Sequence, residues 1–241
     1  MKLWVFFILF TSSAPLAPGS RFDCFVVWNV GQGLWTTTRH GNQCLHIDAG
    51  GEHWPLRAVT SLCRGMKNQV LLSHGDLDHI GGLKSLPKIT RNLCLAAAPL
   101  EPDLPERKRS LYADLPRCLQ APEVDEVSWH QRKNSANDFS RVFILQNKIL
   151  LPGDSPGGEE KVWSHNIKSA ANIQLLILGH HGSRTSTTEA LLRQIPKLKM
   201  AIASARFQKY GHPHDEVVQR LAEHHVALLS TEDWGHLIFE L

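Results

Sequence analysis

Short apolar runs, each closed by a glycine or a polar residue, recur along the chain and alternate with stretches of helical spacing. The run "FDCFVVWNVG" (Phe22–Gly31) predicts a strand ending at a glycine turn, and "NQCLHIDAGG" (Asn42–Gly51) predicts a second ending the same way. A third strand, Gln69–Ser73, stops at His74, and "HIGGLKSL" after it predicts a short helix. "RNLCLAAAP" reads as another strand. "RVFILQ" and "KILLPG" flank a hairpin turn at Gln146–Asn147, and Ile173–Leu178 runs as a strand into glycine and two histidines. "TSTTEALLRQI" predicts a helix with hydroxyl residues at its N-cap. "KMAIASA" predicts a strand, "PHDEVVQRLAEHH" a helix, and "VALLSTEDWGHLIFEL" a closing strand pair. Mixed strands and helices, with chemically capable residues at strand ends, give an α/β architecture.

Two segments break this rhythm. From Pro99 to Asp138, prolines at 99, 102, 105, 116 and 122 punctuate a polar segment that reads as loop or lid, with one helix at "PERKRSLYADL". At the start, "MKLWVFFILF" places one lysine before an uninterrupted apolar run, Leu3–Phe10, followed by small and polar residues. That run is shorter than the ~20 residues a bilayer crossing needs and suits a secretory signal peptide over 1–19. The alternative is a buried N-terminal strand. Residues 20–241 then form a single domain with a variable segment at 99–138, and no internal repeat divides it.

Composition narrows the options only a little. An apolar share of 42% is ample for a core, and a net charge of +3 advertises no large footprint for nucleic acid. The basic clusters "ERKRS" and "QRK" are short enough to be solvated loop faces. Cys24, Cys44, Cys63, Cys94 and Cys118 form no C-x-x-C pair, which argues against thiolate zinc binding. In an exported protein one or two disulfides can form. Their pairing is open, and an odd count leaves one cysteine over.

The sharpest signal is "SHGDLDHIGGL" (Ser73–Leu83), where His74, Asp76, Asp78 and His79 crowd the end of a strand. Four such groups repel one another unless a cation sits among them. Asp154 after "ILLPG" and His180–His181 after "LLILG" offer further donors at strand ends. Imidazole suits borderline metals and a carboxylate can bridge two ions, so the three stretches together point to a site for one or two divalent metal ions. Adjacent residues leaving a strand face opposite sides, so one of His180 and His181 is the candidate ligand, and the choice stays open.

With these motifs in this order the chain resembles the metallo-β-lactamase superfamily, whose hallmark is H-x-H-x-D-H. More narrowly it resembles the hydrolase domain of ComEC-type competence (DNA-uptake) proteins. The matching stretches are "NVGQG" (Asn29–Gly33), "HIDAGG" (His46–Gly51), "SHGDLDHIGGL", "NDFS" (Asn137–Ser140), "LLPGDS" (Leu150–Ser155), "GHHGSRTST" (Gly179–Thr187) and "YGHPHDEV" (Tyr210–Val217). The resemblance implies a four-layer αβ/βα sandwich with metals at one edge between two sheets. It implies metal ligands at His74, Asp76, Asp78, His79, Asp154 and His180 or His181, with Asp154 bridging, and catalytic roles for Asp78 and His212. Asp48 and Asn137 are expected behind the ligands, and Gly182, Ser183 and Thr185 at a substrate phosphate, where a helix start attracts anions.

Three departures matter. Asp76 stands where most of the superfamily has histidine, which hardens the site and makes manganese or magnesium competitive with zinc. The usual third-stretch histidine has no counterpart around Asn137 and Asp138. Leu34 replaces the acidic residue usual after the first glycine motif. The expected function is an exported metal-dependent hydrolase of phosphodiesters, with DNA or another nucleic acid as substrate. The alternatives are a small-molecule ester or lactone hydrolase and a non-catalytic binding module. Without a long apolar segment, no stable membrane insertion of the mature form is expected, and nothing specifies a protein partner.

If Leu3–Phe10 is a signal sequence, protein recovered from the native host should begin near Ser20 and lie outside the cytoplasm. N-terminal sequencing that returns intact Met1 would exclude this.

Overall fold

The computed structural model describes residues 8–11, 23–90, 92–131 and 135–241. Thirteen strands lie among them in chain order. The first six are β1 (Ile8–Thr11), β2 (Cys24–Val27), β3 (Thr36–His40), β4 (Gln43–Ile47), β5 (Lys67–Leu71) and β6 (Leu93–Ala97). The next are β7 (Asp125–Val127), β8 (Val142–Leu145), β9 (Ile149–Leu151) and β10 (Leu175–Ile177). The last are β11 (Met200–Ala203), β12 (Ala227–Ser230) and β13 (His236–Glu240). One sheet has the order β1-β13-β2-β3-β4-β5-β6, the other β12-β11-β10-β9-β8-β7.

The apolar runs read as continuous because both faces of most strands are buried. Phe25 and Val27 of β2 point into the space between the sheets, where they join Phe143, Leu145, Leu175 and Ile177 from the opposite sheet. Cys24 and Val26 point the other way, onto the helical layer of Leu56–Cys63 and Leu86–Ile89. Leu176 and Leu178 likewise face Trp163, Leu191 and Leu221 of the helices outside the second sheet. Period-2 alternation thus builds three cores between four layers, helix, sheet, sheet and helix. This is the expected sandwich.

Most expected elements are present, with instructive differences. Gln146 and Asn147 both adopt positive φ (49° and 57°) and join antiparallel β8 and β9, as the hairpin reading requires. Thr188 caps the helix Glu189–Gln194 by accepting from the Leu191 N–H. The closing strands, however, are not a pair. β12 adds in parallel to β11, a single helical turn (Thr231–Trp234) carries the chain across, and β13 pairs antiparallel with β1 and β2 in the other sheet. β3 went unread because "TTTRH" lacks apolar residues, yet its threonines pack and bond inside the sheet. The segment 99–138 is more than loop. Its helix shrinks to Glu106–Arg109, and it contributes β7 to the edge of the second sheet.

Two disulfides, Cys44–Cys63 and Cys94–Cys118, fasten the first helix and the proline-rich segment to the first sheet, and Cys24 stays free and buried. Of the expected leader Met1–Gly19, Ile8–Thr11 is a strand against β13, and the rest lies outside the described residues. Among the described residues no helix is long and apolar enough to cross a membrane.

His46 shows how polar groups are kept inside the first sheet. The Trp28 indole donates to the Thr37 hydroxyl, which in turn meets His46 Nδ1 at 2.9 Å, while His46 Nε2 donates to Asn68 Oδ1 at 3.2 Å. Burial lowers the pKa of His46 from 6.5 to about 4, so the folded chain holds it neutral. As pH falls through 6.5 the unfolded chain takes a proton that the folded chain refuses. Stability present above pH 6.5 is therefore lost progressively toward pH 4, by on the order of 3 kcal/mol from this group. Urea unfolding of wild type and His46→Gln across that range should give profiles that converge at low pH. Parallel profiles would exonerate His46.

Candidate metal centre

β4, β5 and β6 run parallel in one sheet, and β9, β10, β11 and β12 run parallel in the other, so their C-terminal ends collect at one edge of the sandwich. Asp48 follows β4, the His74–His79 loop follows β5, Asp154 follows β9, His180–His181 follow β10 and Ser204 follows β11. Sequence positions more than a hundred residues apart therefore meet. Backbone bonds lock the loops together: Leu34 N donates to Asp78 O at 2.9 Å, and His180 N donates to Gly153 O at 3.0 Å. Gly50 is required here, since a Cβ on it would sit 2.2 Å from the Asp78 carbonyl. Leu34 itself turns its side chain into the inter-sheet core, so its backbone holds the metal loop whatever the side chain contributes.

The imidazoles are oriented from behind. Asp48 (φ 57°) is fully buried and accepts from Ser73 N at 2.7 Å, Ser73 Oγ at 2.7 Å and His79 Nδ1 at 2.7 Å. Because the Ser73 hydroxyl donates to Asp48, it accepts from His74 Nδ1, 3.0 Å away. His181 Nδ1 donates to the Ser204 carbonyl at 3.1 Å. In all three rings the Nδ1 proton is engaged, which leaves the Nε2 lone pairs aimed inward.

There they meet carboxylates. Asp154 Oδ1 lies 3.0 Å from His79 Nε2, and its Oδ2 lies 3.8 Å from His74 Nε2 and 3.7 Å from His181 Nε2. Asp78 Oδ2 is 3.1 Å from His181 Nε2, and the two imidazole nitrogens of His79 and His181 face each other at 3.3 Å. Donors about 2.1 Å from one ion stand about 3.0 to 3.4 Å apart, so this spacing is that of a ligand shell. His74 with His79 and Asp154, and Asp78 with His79 and His181, form the two groups able to hold a cation. His74 Nε2 and Asp154 Oδ1 are buried with no well-formed hydrogen bond among the described residues. Unpaired buried acceptors of this kind fit a divalent metal, and these residues suit one.

The electrostatics agree. Burial opposes charge on His79, but Asp154 and Asp48 outweigh it and hold its pKa well above the ordinary value. Asp154 and Asp78 raise His181 against its own burial in the same way. Burial pushes Asp78 up, yet His181 and His79 bring it down to about 2. The cluster demands positive charge, and a divalent ion that supplies it displaces protons.

The remaining expected residues are placed unequally. His180 and His181 both take left-handed backbone (φ 49° and 57°), a strained pair of the sort that gathers at functional sites. His181 turns inward, while His180 is one-third exposed, its Nε2 3.7 Å from Asp154 Oδ2. Asp76 lies 3.6 Å from His74 Nε2 but is also held at 2.6 Å by Lys108, from the proline-rich segment. His212 stands beside His180 and meets the Gln32 side-chain amide through Nδ1 at 3.3 Å. The Asn137 carbonyl accepts from Ser140 N, and the Ser140 hydroxyl accepts from Asp154 N at 3.2 Å, so Asn137 reaches Asp154 through Ser140. Gly182 packs on Pro213, and the Ser183 and Thr185 hydroxyls bond each other at 3.0 Å. None of these three lines the open cavity of about 440 Å³ that Asp78, His180 and His181 share.

Ser73, Ser140, Ser204 and Lys108 were missed by sequence reasoning. Ser73 and Ser140 stand inside recognised motifs, and nothing in the local sequence marks Ser204 or Lys108.

The sequence model of the Metallo-beta-lactamase superfamily matches residues 39–202, which carry most of this centre. The chain belongs to the metallo-beta-lactamase superfamily. Among curated proteins it is 28% identical to competence protein ComA of Neisseria gonorrhoeae, over 100% of this chain and 36% of that protein. It is 29% identical to recombination protein 2 of Haemophilus influenzae, over 87% of this chain and 28% of that protein. It is 27% identical to ComE operon protein 3 of Bacillus subtilis, over 71% of this chain and 24% of that protein. The chain thus spans roughly a quarter to a third of these relatives' length. Among solved structures, the metallo-beta-lactamase fold protein YhfI from Bacillus subtilis superposes with a TM-score of 0.58 at 13% identity, covering 91% of this chain and 100% of that one. A diphosphatase of the PhnP family gives 0.52 at 13% identity, covering 91% and 98%. Both show the same fold.

Asp78→Ala and Asp154→Ala should each lose most bound metal and all hydrolysis, and Asp48→Ala should weaken metal affinity roughly ten- to hundredfold by freeing His79 and Ser73. His40→Ala, on an exposed ring paired with Asp23, should do neither. Equilibrium dialysis with elemental analysis reads all four, and wild-type metal content in either ligand variant would refute the assignment.

Proposed function

We propose that this metallo-β-lactamase-fold hydrolase is an exported phosphodiesterase that acts on nucleic acid. One observation carries the reading: the Nε2 atoms of His74, His79 and His181 converge with the carboxylates of Asp78 and Asp154, and Asp78 and His181 open onto a cavity. His74, His79, Asp78, Asp154 and His181 would hold one or two divalent ions, with Asp154 between the two groups. Ions held there would supply Lewis acidity toward a phosphoryl group and would lower the pKa of water enough for hydroxide to form near neutral pH. The substrate class is supported by the resemblance to ComEC-type DNA-uptake hydrolase domains and by relatives named as a competence protein and a recombination protein.

The chain's own residues have separable tasks. Asp48 and the Ser204 carbonyl keep the ring protons of His79 and His181 away from the cavity. Asp78, partly open to it, is placed to accept a hydrogen bond from a nucleophile and orient it. Burial and the neighbouring imidazoles lower the pKa of His212. It is therefore neutral, and with Nδ1 facing Gln32 its Nε2–H is free to donate to a phosphate oxygen. Gly182 supports this by packing the histidine loop against Pro213. Ser183 and Thr185 shape the same loop. Two disulfides among the described residues and the apolar leader both suit an oxidising compartment.

Asp76 brings oxygen where imidazole is usual, and Lys108 competes for it. Manganese should accordingly support at least as much phosphodiester cleavage as zinc, with magnesium weaker. Asp76→His should move the preference toward zinc. Nuclease assays of both proteins on single- and double-stranded DNA decide this. Zinc-only activity that Asp76→His leaves unchanged would show that position 76 does not set the metal. No turnover of any phosphodiester in any of the three metals would overturn the function.

A further inference from the structure

Glu52 stands on the wall of the same cavity and gathers four donors from two chain segments. Its Oε1 accepts from Lys209 Nζ at 2.7 Å and the Tyr210 hydroxyl at 3.2 Å, and its Oε2 from Arg206 Nη1 at 2.8 Å and Gln32 N at 3.3 Å. Gln32 completes the linkage by accepting from Arg206 N at 3.1 Å and meeting His212. Arg206 and Lys209 thus flank the Glu52 carboxylate beside the cavity wall, with Glu232 also acting on Arg206. Both cations stay about half open to solvent, with side-chain exposures of 41% and 52%.

Beside them the wall turns apolar. Leu77, between the candidate ligands Asp76 and Asp78, is 52% exposed, and Tyr210 is 45% exposed. Both line the cavity with Asp78 and His181. Lys209 lies 4.8 Å from the centre of the Tyr210 ring, and Glu52 pins that ring's hydroxyl, so the ring is held rather than swinging freely. A surface ion-pair cluster needs neither an exposed leucine nor a fixed aromatic ring next to a metal cradle. A ligand with a flat apolar face, joined by a short linkage to an anion, uses all of them.

We propose that Leu77, Tyr210, Arg206 and Lys209 form a nucleotide subsite adjoining the metal centre. A base packs on Tyr210 and Leu77, and the next phosphate of the strand is received by Arg206 and Lys209. The proposal rests on the phosphodiesterase reading and sharpens it. A base can lie on a side chain only when it is unstacked from its neighbours, so the substrate is single-stranded nucleic acid rather than duplex. The open cavity of about 440 Å³ is of a size to receive one splayed nucleotide.

The test measures binding and turnover with the full chain in manganese. Fluorescence anisotropy of a labelled single-stranded oligothymidylate should show tighter binding than the matching duplex. Tyr210→Ala should weaken it by about tenfold. Tyr210→Phe, which keeps the ring, should stay within about twofold. Arg206→Gln with Lys209→Gln should lower the slope of log affinity against log salt by about 1. Circular dichroism melting verifies that each variant folds, and if Tyr210→Ala does not, the salt slope decides. Wild type that cleaves phosphodiesters but prefers duplex, or variants with unchanged affinity and salt slope, would overturn the subsite and leave the function standing. A wild type that cleaves no phosphodiester would remove the function itself.

Discussion

Lone pairs of His74, His79 and His181 meet the carboxylates of Asp78 and Asp154 at a site that is buried except on the side of Asp78. Left to themselves these groups repel, and burial in a weak dielectric makes the repulsion costly. Positive charge between them turns the same arrangement into a sink. The rest of the structure is organised around that constraint. Asp48 keeps two imidazoles in one tautomer, one directly and one through Ser73. The left-handed backbone at Asp48, His180 and His181 persists because hydrogen bonds from neighbouring loops hold it there.

The architecture supplies what a loop alone could not. Parallel strands in two facing sheets deliver their C-terminal ends to one edge, so ligands from separate halves of the sequence stand on rigid supports. The inter-sheet core between Phe25, Val27, Phe143 and Ile177 fixes the spacing of those supports. A shift of one sheet against the other would pull Asp154 and His181 away from His74 and His79 together. Leu34 belongs to this machinery through its backbone and its packing, which explains how an apolar residue stands where an acidic one is usual.

Around the metal cradle the protein is asymmetric. On one side the proline-rich segment closes down, with Leu104 against Gly75, Glu101 accepting from the Gly75 N–H and Lys108 on Asp76. On the other, the Glu52 hub and Tyr210 leave the cavity open. Access to the centre is therefore from the side of the glycine-rich loops and the Arg206–Tyr210 segment. The segment that looked most like a lid in the sequence instead buttresses the ligand loop.

The residues of the candidate metal centre were legible in the sequence because their chemistry is local. A histidine and aspartate crowd at a strand end has few other physical explanations, and the apolar runs declared which strands were buried on both faces. What the sequence left open were choices that depend on direction. His181 rather than His180 turns inward because of the backbone twist after β10 and the Ser204 carbonyl waiting behind it. The two C-terminal strands separate into opposite sheets, and β3 is a strand despite its polar residues, because pairing partners decide both. Ser204, Lys108 and the Glu52 hub gain their roles from side chains distant in sequence, whose meeting is set by packing. A chain records what each residue can bind; only the folded sheets determine which of them face one another.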